Sequence, residues 1–468
     1  MNKPTKFREI EDGFGKLLLP QNALYGAQTQ RAVNNFNFSP RPMPAIFIKT
    51  LALIKQAAAQ ANADLNCITE LQADYIKKAA QLIIQQDYSE QFPVNVFQTG
   101  SGTSTNMNMN EVLANLAVQL AETDNQVVKI HPNDQVNYGQ SSNDVIPSCI
   151  QLSSLYSVIK NLIPAIDSLI LKLNELSAEY KSVIKTGRTH LMDAMPLALG
   201  DEFATWAFQI TECKNRLLET LPRLSQIALG GTAIGTGINA HPDFSATVSQ
   251  HLTELIGVKI SPCDNLAARI SAQDMSVELH NQLKLLASIY IKLANDLRWM
   301  NSGPNAGLNE LHLKALQPGS SIMPGKVNPV IPEAIIMLAT EVIANDVCIT
   351  LANQSGNFQL NVMLPLVADK MLNSIQNLTD ASQAFASTAL TDLEVNQQKL
   401  AEQAAQNPIL ATALNPIIGY EKASEIAKAA FKSKRSILDV AVEKTDLDRA
   451  ELEALLQPEK LAKPRTYK

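Results

Sequence analysis

Residues 279–300 read LHNQLKLLASIYIKLANDLRWM. Leu279, Leu283, Leu286, Tyr290, Leu293, Leu297 and Met300 recur at alternating spacings of four and three. That is an a/d heptad seam, the period of helices lying side by side at shallow angles. The stretch sits within 40 residues, between Pro262 and Gly303, that hold neither Gly nor Pro. If wholly helical, they would form a rod of ~60 Å at ~1.5 Å per residue, about twice the width of a small domain. A short bundle cannot bury such a rod. Several equally long helices, or several subunits, can.

Working outward, further helical tracts are expected at 46–62, 144–180, 196–221, 332–354 and 364–403, and strand signals are weak throughout. The fold class read from this pattern is mostly all-α. A central long-helix bundle (139–395) is flanked by a mixed N-terminal domain (1–138) and a small helical C-terminal domain (396–468). In the tail, short helices at 408–414, 420–433, 435–444 and 448–455 alternate with brief breaks.

Composition sets limits. The 468 residues are 46% hydrophobic and 18% charged, with a net charge of −6. Bulk charge of this sign argues against nucleic acid and anionic membranes as partners. Cys67, Cys149, Cys213, Cys263 and Cys348 are scattered without a C-x-x-C pair, as reduced thiols would be, and not as a disulfide frame or a zinc site. The six histidines are dispersed and form no H-E-x-x-H, so no metal or other cofactor is expected. The start, MNKPTKFREIEDGFG, is charged and lacks a secretory apolar core. No apolar run is expected to reach the ~18 residues of a membrane helix. The reading is a cytoplasmic protein.

Between the helices lie stretches rich in small polar residues. The most unusual is GSSIMPGKVNP, 319–329. It is not a phosphate loop: five residues separate Gly319 from Gly325, and Val327 stands where the metal-binding hydroxyl belongs. A surface turn or a mobile catalytic loop both fit it. Its companions are TGSGTSTNMNMN (99–110), HPNDQVNYGQSSND (131–144), KTGRTHLMDAMP (185–196) and GGTAIGTGIN (230–239). Such density of hydroxyls and amides suits a small oxygen-rich ligand, and helix N-termini add positive potential for carboxylates. Bland readings stand beside this one. SSND before an apolar run is good helix-cap chemistry, and Pro-Asn-Asp is good turn chemistry. GTGINA (235–240) has the dinucleotide spacing without a βαβ setting. His190 alone reads as a structural histidine.

Taken together, these stretches resemble the aspartase/fumarase superfamily, and most closely the class II, metal-free fumarate hydratases. The resemblance runs from LYGAQTQRAVNNF through QTGSGTSTNMNMNEVLAN, HPND, QSSND, GRTHLMDAMPL, GGTAIGTGIN and SGPNAGLNEL to LNPIIGYEKASEIAK, with GSSIMPGKVNP as the signature loop. His190, Ser142 and Gly100-Ser101-Gly102 follow the fumarase pattern where aspartases have Gln, Thr and Gly-Ala-Gly, which sets aspartate ammonia-lyase as the alternative.

The resemblance implies a homotetramer with a shared helical core and active sites built from three subunits, acting on fumarate and L-malate in the tricarboxylic acid cycle. It implies Ser320 as general base and His190 acting on the hydroxyl side through a water, with Glu333 adjusting the histidine. It places Lys326 and Asn328 on the carboxylate that becomes a dianion, and Ser101, Thr103, Ser141, Ser142, Asn143 and Thr189 on the rest of the substrate. A second carboxylate site is implied at His131, Asn133 and Asp134. The basic pair that often precedes it is here Val128 and Lys129, so one cation is missing.

Overall fold

The computed structural model describes residues 6–463; the first five residues of the charged N-terminal stretch lie outside them. In chain order come the hairpin β1 (Phe7–Asp12) and β2 (Gly15–Pro20), then α1 (Ala27–Asn35), α2 (Ala45–Asp64), α3 (Glu70–Gln85), α4 (Thr103–Thr123), α5 (Ser142–Ser157) and α6 (Ile163–Glu179). A second hairpin, β3 (Ile184–Thr189) and β4 (Met192–Ala198), leads into α7 (Leu199–Leu224), β5 (Gln226–Ile227), α8 (Phe244–Ile256), β6 (Ser261–Pro262), α9 (Leu266–Ser271) and α10 (Asp274–Met300). After β7 (Leu311–His312) come α11 (Val330–Asn353), the short pair β8 (Gly356–Asn357) and β9 (Leu360–Asn361), α12 (Leu364–Ala384), β10 (Glu394–Val395) and α13 (Gln397–Gln406). The chain ends in α14 (Asn415–Ile418), α15 (Tyr420–Ser433), α16 (Ile437–Lys444), α17 (Arg449–Leu456) and α18 (Pro458–Leu461). Every described sheet has two strands, so the fold is mostly α.

The residues cluster into two compact units. One comprises Met1–Pro164, Asn215–Ala287 and Ala339–Thr379; the other comprises Ala165–Lys214, Ser288–Leu338 and Asp380–Lys468. In the first, α2 packs against α3, α5 and α8, while α4 lies on α3 and α1. Local chemistry starts these helices. Thr69 and Gln72 form a capping box at α3, Gly102 enters α4 with φ 72°, and Ser141 and Asp144 form a capping box at α5. In the second unit, α13 packs on β3 and α18 on β4. The tail helices close around Leu410, Leu414, Ile426, Val440, Leu452 and Leu456.

The heptad seam is buried at every position, from Leu279 to Met300. The rod, however, is shorter than its Gly- and Pro-free frame. Ala272 adopts an extended conformation and the N–H of Gln273 is taken by Asn353 Oδ1, which separates α9 from α10. The 27 residues of α10 span ~40 Å. Three other expectations are corrected. The tract 364–403 breaks after the π turn Phe385–Ala389 and resumes only at α13. Pro196 lies in β4, and α7 begins three residues later. Two helical runs do reach membrane length: Ser142–Glu179 and Val330–Asn353 hold windows of mean hydropathy 1.3 and 1.8.

α11 is rich in apolar residues on every side, although it also carries Glu333, Glu341, Asn345 and Asp346, of which Glu341 is exposed. Met337, Thr340, Ala344, Val347 and Leu351 are all exposed in the single chain. Their spacings of three, four, three and four make a second a/d seam, facing outward.

Candidate active site

Two glycines shape the entry to α4. The carbonyl of Gly100 accepts from Leu364 N at 2.9 Å, and a Cβ at Gly100 would lie 1.7 Å from the carbonyl oxygen of Val362. Only glycine fits there. The turn sets Ser101 Oγ 2.9 Å from Thr103 Oγ1, two half-buried hydroxyls side by side at a helix N-terminus.

The entry to α5 is more deeply built. Ser141 Oγ accepts from Asn143 N at 3.2 Å, so the capping role read from SSND is real. Asp144 is fully buried and accepts from three backbone N–H groups: Ser141 at 2.9 Å, Gly230 at 2.9 Å and Thr232 at 2.8 Å. That anchors the GGTAIGTGIN stretch to the helix, aided by Asn143 Nδ2 donating to Ala233 O at 2.8 Å. Burial pushes the Asp144 carboxyl up to about 6 despite these donors and the charge of Lys55. Ser142, 8% exposed, accepts from Asn106 Nδ2 at 3.0 Å.

KTGRTHLMDAMP is not a loop but the β3–β4 hairpin. Thr189 pairs with Met192, and both residues of the two-residue turn, His190 and Leu191, have positive φ (56° and 61°). This is a type I′ geometry held by residues that do not favour it. The arms are locked by buried charge. Lys185 Nζ donates to Glu310 at 2.7 Å and to Glu202 at 2.8 Å, and Arg188 donates to Glu310 at 2.6 Å. The exposed His190 therefore projects from a strained tip on a rigid stem.

In the signature loop, Ser320 Oγ accepts from the N–H of Ile322 at 3.2 Å and of Met323 at 3.1 Å. Gly319 N donates to Lys326 O at 2.8 Å. Lys326, Asn328 and Glu333 line a cavity of about 1080 Å³ together with Arg298, Trp299 and His312. His190 lines a different cavity of about 400 Å³ with Lys185, Arg188 and Glu202. Within one chain, the expected partners His190 and Glu333 line different cavities and share no hydrogen bond or ion pair among the described residues.

The HPND stretch forms a π turn, Pro132–Val136, capped by its own histidine. His131 Nδ1 accepts from Asn133 N at 3.3 Å and Asp134 N at 3.4 Å. His131 and Asn133 border a cavity of about 580 Å³ that also takes in Arg31, whose guanidinium is already bound to Asp12. Asp134 is outside it.

The site residues expected from sequence thus fall into two groups. Ser101, Thr103, His131, Asn133, Asp134, Ser141, Ser142 and Asn143 belong to one compact unit. Thr189, His190, Ser320, Lys326, Asn328 and Glu333 belong to the other. Sequence reasoning missed the supporting residues: the buried Lys55, Asn106 and Glu310, and the half-buried Asn137. Lys55 carried a signal, since it shares the buried helical face of Leu51, Ile54 and Ala58.

A lyase family model matches residues 15–344, and a model of the fumarase C C-terminus matches residues 410–463. The chain is 54% identical over 457 residues to fumarate hydratase class II 2 of Pseudomonas aeruginosa, covering 98% of this chain and 99% of that one. It is 49% identical over 458 residues to the class II fumarate hydratase of Xylella fastidiosa, covering 98% and 96%. The crystal structure of a class II fumarase from Schistosoma mansoni superposes with a TM-score of 0.94 at 34% identity, covering 98% and 99%.

Proposed function

Because the chain belongs to the class II fumarate hydratases, hydro-lyases that interconvert fumarate and L-malate, we propose a division of labour among its residues. The difficult step is removal of a C3 proton beside a carboxylate. The intermediate carries an extra negative charge, which fixed donors must stabilise in a site shielded from water. Ser320 is the base. A serine oxygen is a poor base unless its anion is stabilised, and the observation that carries this assignment is that two backbone N–H groups already converge on Ser320 Oγ. Lys326 and Asn328 hold the carboxylate that becomes the dianion. Ser101, Thr103, Ser141, Ser142, Asn143 and Thr189 hold the rest of the substrate. His190 acts on the hydroxyl through a water, and Gly319 and Gly325 let the loop close.

We place the pairing of His190 with Glu333 between copies; that the two line separate cavities in one chain supports this. The exposed seam on α11 supports this reading: it leaves an apolar helix unfinished until other copies cover it. The assembly we propose is a homotetramer with sites shared among three subunits. Its N-terminal (1–138), central (139–395) and C-terminal (396–468) regions would act as three domains, and the protein would work in the cytoplasm. His131 and Asn133 form at most a secondary carboxylate site, because Arg31 beside them is already neutralised by Asp12.

The test is to give purified protein L-malate or L-aspartate and follow the ultraviolet absorbance of fumarate, with Ser320→Ala alongside. Fumarate from malate alone, lost in the variant, is the expected result. Full activity in the variant would remove Ser320 from the role.

A further inference from the structure

We propose that Lys55, Asn137 and Asn106 form a hydrogen-bonded chain, Lys55 and Asn106 both donating to Asn137 Oδ1, that leaves the hydroxyl hydrogen of Ser142 free for the ligand, which makes Asn106 a positioning residue for substrate binding. The inference rests on the reading of Ser142 as a substrate contact and goes beyond it.

The chain is anchored by a backbone carbonyl, that of Gln140, which only accepts, and by Lys55, which keeps N–H donors whether charged or neutral. Lys55 is fully buried, and its Nζ lies 2.8 Å from Asn137 Oδ1 and 3.0 Å from Gln140 Oε1. The other end of the Asn137 amide donates to the carbonyl of Gln140 at 3.2 Å. Oxygen and nitrogen of Asn137 are thereby assigned by their partners. Its oxygen also faces Asn106 and Asn110, each at 3.2 Å, so both must turn their NH₂ groups towards it. The same Asn106 Nδ2 lies 3.0 Å from Ser142 Oγ. The serine oxygen must accept there, and one of its lone pairs is used. Among the described residues nothing accepts the Ser142 hydrogen. It remains available to a ligand oxygen, which is what a carboxylate or an alcohol offers.

The arrangement has a structural cost that argues for function. Asn106 Oδ1 and Asn110 Oδ1 are buried without a partner. Turning Asn106 over would set its oxygen against Asn137 Oδ1, two acceptors face to face. A core selected for stability alone avoids orphaned amide oxygens. Here two persist, in adjacent turns of α4, on the element that carries Thr103.

A double-mutant cycle tests this: wild type, Ser142→Ala, Asn106→Ala and the double variant, each assayed for kcat and KM with L-malate. Ser142→Ala is expected to raise KM by about tenfold or more, the scale of one hydrogen bond to a charged group. Asn106→Ala is expected to raise KM several-fold in the wild type and to add less than about twofold to Ser142→Ala, because it acts through that hydroxyl. Equal factors in both backgrounds would mean that Asn106 is merely structural, and the inference falls. No effect of Ser142→Ala would instead overturn the reading of Ser142 as a contact. If Asn106→Ala does not fold, Asn106→Asp, similar in shape but without N–H donors, carries the same cycle.

Discussion

Asn328 Nδ2 donates to the carbonyl of Gly319 at 2.9 Å, tying the end of the signature loop to its start. The tie leaves no room. A Cβ on Gly319 would lie 2.5 Å from the carbonyl oxygen of Lys326 and 2.9 Å from the N of Asn328. Gly319→Ala should therefore spread the loop and displace Ser320, Lys326 and Asn328 together. A misplacement of about 1 Å costs on the order of 10²-fold in rate. The loop is largely exposed, so thermal stability should stay close to wild type. Measuring kcat/KM beside the melting temperature separates the two effects. An active Gly319→Ala would show that the tie is not needed.

The two adjacent serines give a sharper test of the base. Ser320 Oγ sits under two N–H donors, whereas Ser321 is exposed and makes no side-chain hydrogen bond among the described residues. Ser320→Ala should lower kcat by about 10²–10⁴-fold, the range for loss of a general base. Ser321→Ala should stay within a few-fold. The reverse ranking would transfer the role to Ser321.

Asp144 makes a pH prediction with a definite sign. Burial raises its folded pKa to about 6 from 3.8, outweighing its backbone donors. Between about pH 4 and 6 the folded state therefore binds the extra proton, and stability falls as pH rises through that window. Lys55 works the other way. Burial lowers it to about 7 from 10.5, so the unfolded chain binds more protons above that value and stability rises with pH. Near pH 6–7 both buried charges are at their least favourable. Two units on Asp144 correspond to ~3 kcal/mol at ~1.36 kcal/mol per unit. The denaturant midpoint at fixed protein concentration should fall from pH 4 to 6 in wild type and lose that slope in Asp144→Asn. That variant should also be less stable, because an amide cannot accept from Ser141, Gly230 and Thr232 together. An unchanged slope would show that Asp144 is not the group responsible.

What the sequence made legible follows from which forces are periodic. The α10 seam is a repeat of apolar side chains, and burial at all seven positions is the direct consequence. The tail helices were readable for the same reason. The break at Ala272 was not, since it depends on Asn353 reaching Gln273 from a distant helix. The β3–β4 hairpin was hidden because its turn is His-Leu rather than the usual Asn-Gly, and because the buried Lys185 and half-buried Arg188 look like surface charges until Glu310 is brought to them. The Asn106 chain was hidden likewise: NMNMN reads as a polar loop, and only the fold turns its amides inward.

The exposed seam on α11 yields the most decisive prediction about assembly. Val347 and Leu351 are 60% and 58% exposed on α11. They lie one turn apart, on a single stripe. Val347→Lys would place a charge in the seam that the proposed assembly buries, and burying an unpaired charge is strongly unfavourable. The substitution touches none of the proposed catalytic groups. If the proposed tetramer forms, the substitution should lower the mass seen by analytical ultracentrifugation, and activity should fall in proportion to dissociation, because the proposed site pairs His190 with Glu333 of another copy. Adding wild-type-like protein concentration back should restore both together, by mass action. A variant that dissociates yet keeps full activity per chain would refute shared sites. A variant that stays tetrameric would mean that α11 is covered in some other way.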